Sequence, residues 1–83
     1  MTVTVRYFAA AAEAAGVTTE SVDPGDARTA GDLRAALVRV HGPALERVLS
    51  RCALLAAGSR LDDDATPLAP DVTVDVLPPF AGG

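Results

Sequence analysis

The segment TAGDLRAALVRVHGP, residues 29–43, contains the signals of one complete α-helix. Thr29 can cap its first turn, and Asp32 stands where the positive end of the helix dipole favours a carboxylate. Gly42 and Pro43 predict the stop, because glycine accepts the backbone conformation that ends a helix and proline cannot continue one. The apolar positions that repeat at helical spacing are Leu33, Ala36, Leu37 and Val40. We therefore expect a helix with one buried stripe.

Strand patterns flank this helix on both sides. Residues 2–8 and 72–77 alternate apolar and polar positions and are rich in β-branched residues. The weaker strand candidates are residues 18–22, 52–56 and 60–61. Two strands before the main helix and two or three after it predict an α+β protein, in which one main helix covers one face of a mixed sheet of four to five strands. That layout is the β-grasp, the ubiquitin-like fold.

Shorter helices and turns complete the predicted order. Residues 9–15 are nearly all alanine and are followed by Gly16, which predicts a short helix with a glycine stop. Pro43 is well placed to begin a further helical turn over residues 43–49. Turns are expected at residues 23–26, at residues 58–59 and at residues 67–71.

Composition limits the classes of function. The 83 residues are 49% hydrophobic and 22% charged, which is typical of one globular domain. The net charge of −4 argues against nucleic acid as a partner. No apolar run is long enough to span a membrane, and we expect a cytoplasmic protein. Cys52 is the only cysteine, so neither an internal disulfide nor a cysteine metal cluster is expected. All seven basic residues are arginine, so the chain offers no lysine side chain for amide formation.

The chain ends in a segment suited to reaching into another protein. We divide it into a β-grasp domain, residues 1–77, and an extended C-terminal tail, residues 78–83. Pro78 and Pro79 lack a backbone N–H and restrict φ, so they end the last strand and stiffen the start of the tail. Six extended residues span roughly 20 Å. Gly82 and Gly83 fit narrow channels, and the reactive group at the end is the α-carboxylate of Gly83.

Two stretches resemble a known family. Residues 5–9 (VRYFA) with Glu13, and above all residues 76–83 (VLPPFAGG), are similar to the MoaD/ThiS family of sulfur carriers, most closely to its molybdopterin synthase small-subunit branch. The resemblance implies that an E1-like adenylyltransferase uses ATP to adenylate the terminal carboxylate, and that a sulfur donor then converts it to a thiocarboxylate. It further implies that the large subunit of molybdopterin synthase takes up the tail and passes the sulfur to cyclic pyranopterin monophosphate. No bound cofactor or metal is implied.

The resemblance assigns roles to the tail residues. Gly83 is expected to be the covalent site and Gly82 to provide clearance. The expected partner-binding residues are Pro78, Pro79, Phe80, Ala81 and Gly82, with Phe80 and the apolar residues of the exposed sheet face as anchors for the large subunit. The family pattern is not matched at Ala12, Gly58 and Pro70, where particular docking contacts are expected to differ.

Other functions stay open at the level of sequence. They are sulfur carriage for thiamin or cysteine synthesis, protein modification in the manner of ubiquitin, and a simple interaction module. The chain has no plausible catalytic set of its own. We expect Cys52 to be a small core residue and not a sulfur relay. His41 is expected to cap the end of the main helix and not to act in catalysis. Asp62, Asp63 and Asp64 are expected to form a solvated turn.

Overall fold

The computed structural model describes residues 2–26 and 28–79. Five strands form one mixed sheet in the spatial order β2-β1-β5-β3-β4, and three helices pack against one of its faces. The strands are β1 (Val3–Tyr7), β2 (Thr19–Val22), β3 (Ala53–Ala56), β4 (Ser59–Arg60) and β5 (Thr73–Leu77). The helices are α1 (Ala10–Ala15), α2 (Ala30–His41) and α3 (Pro43–Leu49). This is the β-grasp fold that the sequence predicts.

The two longest strands form the centre of the sheet. β1 and β5 run parallel, with Val5 opposite Val74 and Tyr7 opposite Val76. β2 pairs antiparallel with β1, and β3 pairs antiparallel with β5. Successive strand side chains point to opposite faces, so β1 and β5 send alternate residues into the core. The first and last strands thus hold the sheet together, and the chain leaves it next to the end of β1.

The residues that cap α2 are those predicted from the sequence, and the structure adds a reciprocal hydrogen bond between Asp32 and Thr29. The Thr29 hydroxyl accepts a hydrogen bond from the Asp32 N–H at 3.2 Å, and the Asp32 carboxylate accepts one from the Thr29 N–H at 3.3 Å. Gly42 ends the helix with a φ of 80°, a conformation that costs glycine little. Pro43 then starts α3, as predicted.

The buried stripe of α2 differs from the prediction at its last turn. Leu33, Ala36 and Leu37 are buried as expected, but Val40 is 61% exposed. In that turn His41 is the residue that faces the sheet, because its ring contacts Tyr7 and its Nε2 binds Glu20. The stripe therefore continues from Leu37 to His41, and the assignment of Val40 to the core was wrong.

Buried residues from both layers form one core. From the helices they include Ala11, Ala30, Leu33, Leu37, Leu45 and Leu49, and from the strands Val3, Val5, Tyr7, Val22, Leu54, Val74 and Val76. Full burial of a Leu or Val side chain is worth about 1.5–3 kcal/mol, so this set dominates the stability of the domain. Among the described residues, no helix has the length and apolar character needed to cross a bilayer.

The hairpin between β3 and β4 lies slightly earlier than predicted. Its two loop residues, Ala57 and Gly58, have φ values of 51° and 83°, and Ala56 pairs with Ser59 across the hairpin. Positive φ at both loop positions is the turn geometry that suits the twist of paired strands. The predicted edge strand at residues 60–61 is observed at Ser59–Arg60.

Candidate functional site

The predicted tail leaves the fold from the end of a central strand. β5 pairs with β1 on one side and β3 on the other, and its last residue, Leu77, lies opposite Ala53. Pro78 is half-buried and Pro79 is exposed. The predicted site residues Phe80, Ala81, Gly82 and Gly83 lie outside the described residues. The structure describes the start of the tail. We define the tail root as Pro78 and Pro79 together with the residues that line the two grooves beside them.

Two grooves meet at the tail root, and Pro78 and Pro79 line both. One, of about 400 Å³, lies on the helix side and is lined by Ala10, Arg47, Val48 and Arg51. The other, of about 340 Å³, is lined by Arg51, Cys52, Ala53, Arg60 and Leu77. Pro78 and Pro79 therefore lie between the two grooves, whose other lining residues are apolar side chains and arginines. A larger groove of about 570 Å³ lies between α2 and α3 and shares no lining residue with these two.

The face of the sheet opposite the helices is the second feature of the site. Because strand side chains alternate, Phe8, Ala53, Leu55 and Leu77 lie on this open face, whereas the adjacent residues Tyr7, Leu54 and Val76 are buried. Phe8 is 38% exposed. The three others are half-buried. No described element covers them. They form an apolar patch next to the tail root, which is a typical protein-binding surface.

An ion pair borders this patch. Nε and Nη2 of Arg6 donate to the two carboxylate oxygens of Asp75 at 2.6 and 2.8 Å. The hydrogen bond and the charge of Asp75 raise the pKa of Arg6. The guanidinium carbon of Arg6 also lies 5.9 Å from the ring centroid of Phe8. The bidentate pair holds Arg6 beside Phe8, which gives the patch a defined polar edge.

Sequence reasoning missed a polar cluster on the covered side of the sheet. The Tyr7 hydroxyl donates to the Glu20 carboxylate at 2.5 Å, and Nε2 of His41 binds the same carboxylate oxygen. Burial, followed by the hydrogen bond to Glu20 and its charge, raises the pKa of Tyr7 well above its ordinary value of 10.0. The cluster joins β1, β2 and α2 and lines neither groove at the tail root. It is a structural contact, and the separation of its members along the chain left no local signal.

Cys52 lies at the tail root but has the environment of a packing residue. Its side chain is half-buried against the core, and its Sγ lies 3.2 Å from the carbonyl oxygen of Val48. Burial raises the pKa of the Cys52 thiol, whereas the reactive species of cysteine is the thiolate. These contacts favour the packing role that the sequence predicts over a sulfur relay.

The three consecutive aspartates form an exposed turn. Asp62 pairs with Arg60, Asp64 pairs with Arg34, and Asp63 accepts a hydrogen bond from the N–H of Ala65. Within the described ranges, no group of three or more His, Cys, Asp or Glu side chains is arranged to hold a metal ion. Their partners are thus arginines and the local backbone.

Comparisons with known proteins agree with this architecture. The model of the ThiS family matches residues 5–83. The crystal structure of SAMP1, small archaeal modifier protein 1, from Haloferax volcanii is 33% identical over 100% of both chains, with a TM-score of 0.83. A chain in a complex of subunits 1 and 2 of molybdopterin-converting factor from Helicobacter pylori is 28% identical over 100% of both chains, with a TM-score of 0.71.

A more distant likeness supports the fold alone. The putative molybdopterin converting factor subunit 1 of Pyrococcus furiosus has a TM-score of 0.80 at 21% identity, over 96% of this chain and 99% of that one. No curated protein matches the chain. Because the family model covers nearly the whole sequence and the fold agrees, the chain belongs to the ThiS family, the ubiquitin-like sulfur carriers of the MoaD/ThiS type.

Proposed function

We propose that this chain is the sulfur-carrying small subunit of a molybdopterin synthase. The observation that supports this most is the tail root: the central strand β5 ends at Leu77, Pro78 and Pro79 follow it, and the family motif continues through Gly82 and Gly83. The Helicobacter pylori relative forms a complex with a second subunit, which supports a large subunit as partner here.

The chemistry required of the chain itself is small. The carboxylate of Gly83 attacks the α-phosphate of ATP in the active site of an E1-like adenylyltransferase, and pyrophosphate leaves. Sulfur at the oxidation level of sulfide, supplied by a sulfur donor, then displaces AMP from the acyl-adenylate and leaves a thiocarboxylate. A carboxylate is a poor acyl donor until it has such a leaving group, so the activation is assigned to the partner.

The open face of the sheet and the tail together suit the second partner. The apolar patch of Phe8, Ala53, Leu55 and Leu77 lies beside the end of β5, from which the tail leaves. We therefore assign this patch to the large subunit that receives the tail. Phe80 is proposed to extend this patch beyond the last strand, and Ala81 and Gly82 to pass through the narrow part of the channel. Gly83 would then present the thiocarboxylate to cyclic pyranopterin monophosphate.

Intact mass spectrometry tests the carrier function. The chain is incubated with the adenylyltransferase of the same genome, ATP and a sulfur source, and we expect the mass increase of one oxygen replaced by sulfur. A variant lacking Gly83 and a variant with one alanine added after Gly83 should show no increase, although both should unfold at the temperature of the native chain. If the native chain gains no sulfur under conditions in which the enzyme releases pyrophosphate, the carrier function is wrong.

The acceptor is tested separately. The purified thiocarboxylate is mixed with the large subunit and cyclic pyranopterin monophosphate, and the loss of sulfur from the chain is followed together with formation of the dithiolene. Failure of this step with a successful first step would point to another acceptor, such as one in thiamin or cysteine synthesis.

Protein modification is the second candidate, favoured by the likeness to small archaeal modifier protein 1. A modifier would join Gly83 to lysines of target proteins, and denaturing gels of cells that produce the tagged chain would show covalent ladders. The chain has no lysine, so it cannot form polymers of itself through lysine side chains. Ladders that vanish when Gly83 is deleted would support modification over pure sulfur carriage.

A further inference from the structure

Three of the seven arginines surround the tail root. Arg47 and Arg51 line the helix-side groove, and Arg51 and Arg60 line the other groove. We call Arg47, Arg51 and Arg60 the arginine border. Arg47 belongs to α3 and Arg51 comes four positions later, just beyond the end of that helix. All three residues are exposed.

Two members of the arginine border have no charge partner within the described part of the chain. Arg6 pairs with Asp75, Arg34 with Asp64 and Arg60 with Asp62, but no described carboxylate lies within 4.0 Å of the guanidinium of Arg47 or Arg51. The pair of Arg60 and Asp62 is itself exposed and therefore weak. The positive charge at the tail root is thus available to a second molecule.

Three acidic residues lie at the opposite end of the sheet. Val22 lies opposite Val3, and Thr73 lies opposite Thr4, so the turns after β2 and before β5 are at the end where β1 begins. Those turns contain Asp23, Asp26 and Asp71. The tail leaves from the other end. Arg47 and Arg51 therefore give this chain, whose net charge is −4, two positive charges without a described carboxylate partner where its tail begins.

The reach of the tail makes this surface part of any complex that acts on Gly83. Gly83, the proposed site of activation, comes four positions after Pro79, and four extended residues at about 3.3 Å each span roughly 13 Å. An enzyme that closes around the terminal carboxylate must therefore lie against the residues that border the prolines. Arginine is enriched in such interfaces, and its planar fork matches a carboxylate in a bidentate pair.

We infer that the arginine border is a docking surface for a carboxylate-rich surface of the activating enzyme, at the mouth of the channel that receives the tail. Ala10 and Val48 provide the apolar floor of the helix-side groove, and Arg47 and Arg51 pair with Asp or Glu side chains of the enzyme. This inference rests on the proposed function. It assigns the helix side of the tail root to the enzyme that activates Gly83, whereas the open face of the sheet is assigned to the large subunit.

The test compares two charge reversals in the full chain. Arg51→Glu changes the arginine border, and Arg39→Glu is the matched control, because Arg39 is also exposed and without a described carboxylate partner. Affinity for the adenylyltransferase of the same genome is measured by calorimetry. At low salt we expect Arg51→Glu to weaken binding about tenfold and Arg39→Glu to change it by less than about twofold. At about 1 M salt, where the screening length is about 3 Å, the difference should largely disappear.

The other results each overturn the inference. Equal effects of the two variants would mean that only net charge matters. Tighter binding of Arg51→Glu would mean that the arginine border holds the terminal carboxylate of its own chain. Binding of a short single-stranded RNA that is lost in Arg51→Glu would assign the surface to nucleic acid. Sulfur loading of the native chain, measured in parallel by mass, separates these results from failure of the proposed function: loaded native chain with unchanged Arg51→Glu affinity contradicts the docking surface alone.

Discussion

Leu54 and Leu55 are neighbours on β3, but they belong to different surfaces. Leu54 is 1% exposed and lies in the core beneath the helices, opposite Val76. Leu55 is half-buried on the open face, opposite Asp75 and Arg60. One step along a strand therefore separates a residue that stabilises the fold from one that is free to contact a partner. The comparison predicts that changes on the two faces have separable effects on stability and on binding.

The largest effect is expected on the covered face. Leu54→Ala removes a fully buried side chain and leaves a cavity, so the free energy of unfolding should fall by about 2–5 kcal/mol. Urea unfolding followed by circular dichroism measures this change. The folded fraction of the variant should bind the large subunit with native affinity. A loss of affinity in the folded fraction would show that the two faces are not independent.

The opposite result is expected one residue later. Leu55→Ser changes the apolar patch that we assign to the large subunit, and its affinity for that subunit should fall roughly tenfold, about 1.4 kcal/mol. Its free energy of unfolding should change less than that of Leu54→Ala, because the side chain is already partly in water. Calorimetric titration provides the affinity. Native affinity with a lowered stability would remove Leu55 from the proposed interface.

Which of the two leucines faces the core could not be predicted from the segment itself. Residues 52–56 are apolar throughout, and a run without alternation does not specify an orientation. β1 and β5 could be assigned because polar residues mark their open side. Pairing of Ala53 with Leu77 and of Leu54 with Val76 fixes the orientation of β3, and that register is a tertiary property.

Local chemistry explains what could be predicted and where prediction ended. Thr29 and Asp32 cap one end of α2 and Gly42 caps the other. Each of these contacts is made within about one turn of the helix, so it follows from residue type. Val40 and His41 exchange their expected places because His41 meets Tyr7 and Glu20, which are distant in sequence. The tail motif predicted the family, which the comparison confirms. The arginine border had no signal, since its members come from different elements.

The cap of α2 provides a smaller test of the covered face. Thr29→Ala removes the side-chain acceptor of the Asp32 N–H, which should lower the free energy of unfolding by about 1 kcal/mol. Thr29→Ser keeps the hydroxyl and should retain most of the stability. Chemical denaturation of the two variants under the same conditions gives the difference. Equal stabilities would mean that the capping box does not contribute measurably, and neither variant should change the affinity for the large subunit.

The smallest effect concerns Tyr7, whose pKa burial and Glu20 raise above 10.0. Above pH 10 the tyrosine of the unfolded chain ionises while that of the folded chain stays protonated, so stability falls as the pH rises. Half a pH unit above 10 the loss is about 0.8 kcal/mol. The chain suits this measurement because Tyr7 is its only tyrosine and it has no lysine.

Tyr7→Phe is the control. This variant lacks the hydrogen bond to Glu20 at every pH, but its free energy of unfolding should fall less steeply above pH 10 than that of the native chain. Cys52, whose thiol pKa is also raised, is present in both chains, so its contribution to the pH dependence is shared. Urea unfolding at a series of pH values gives both slopes. Parallel slopes would mean that Tyr7 ionises as readily in the folded chain as in the unfolded one, and the polar cluster would then not protect it from water.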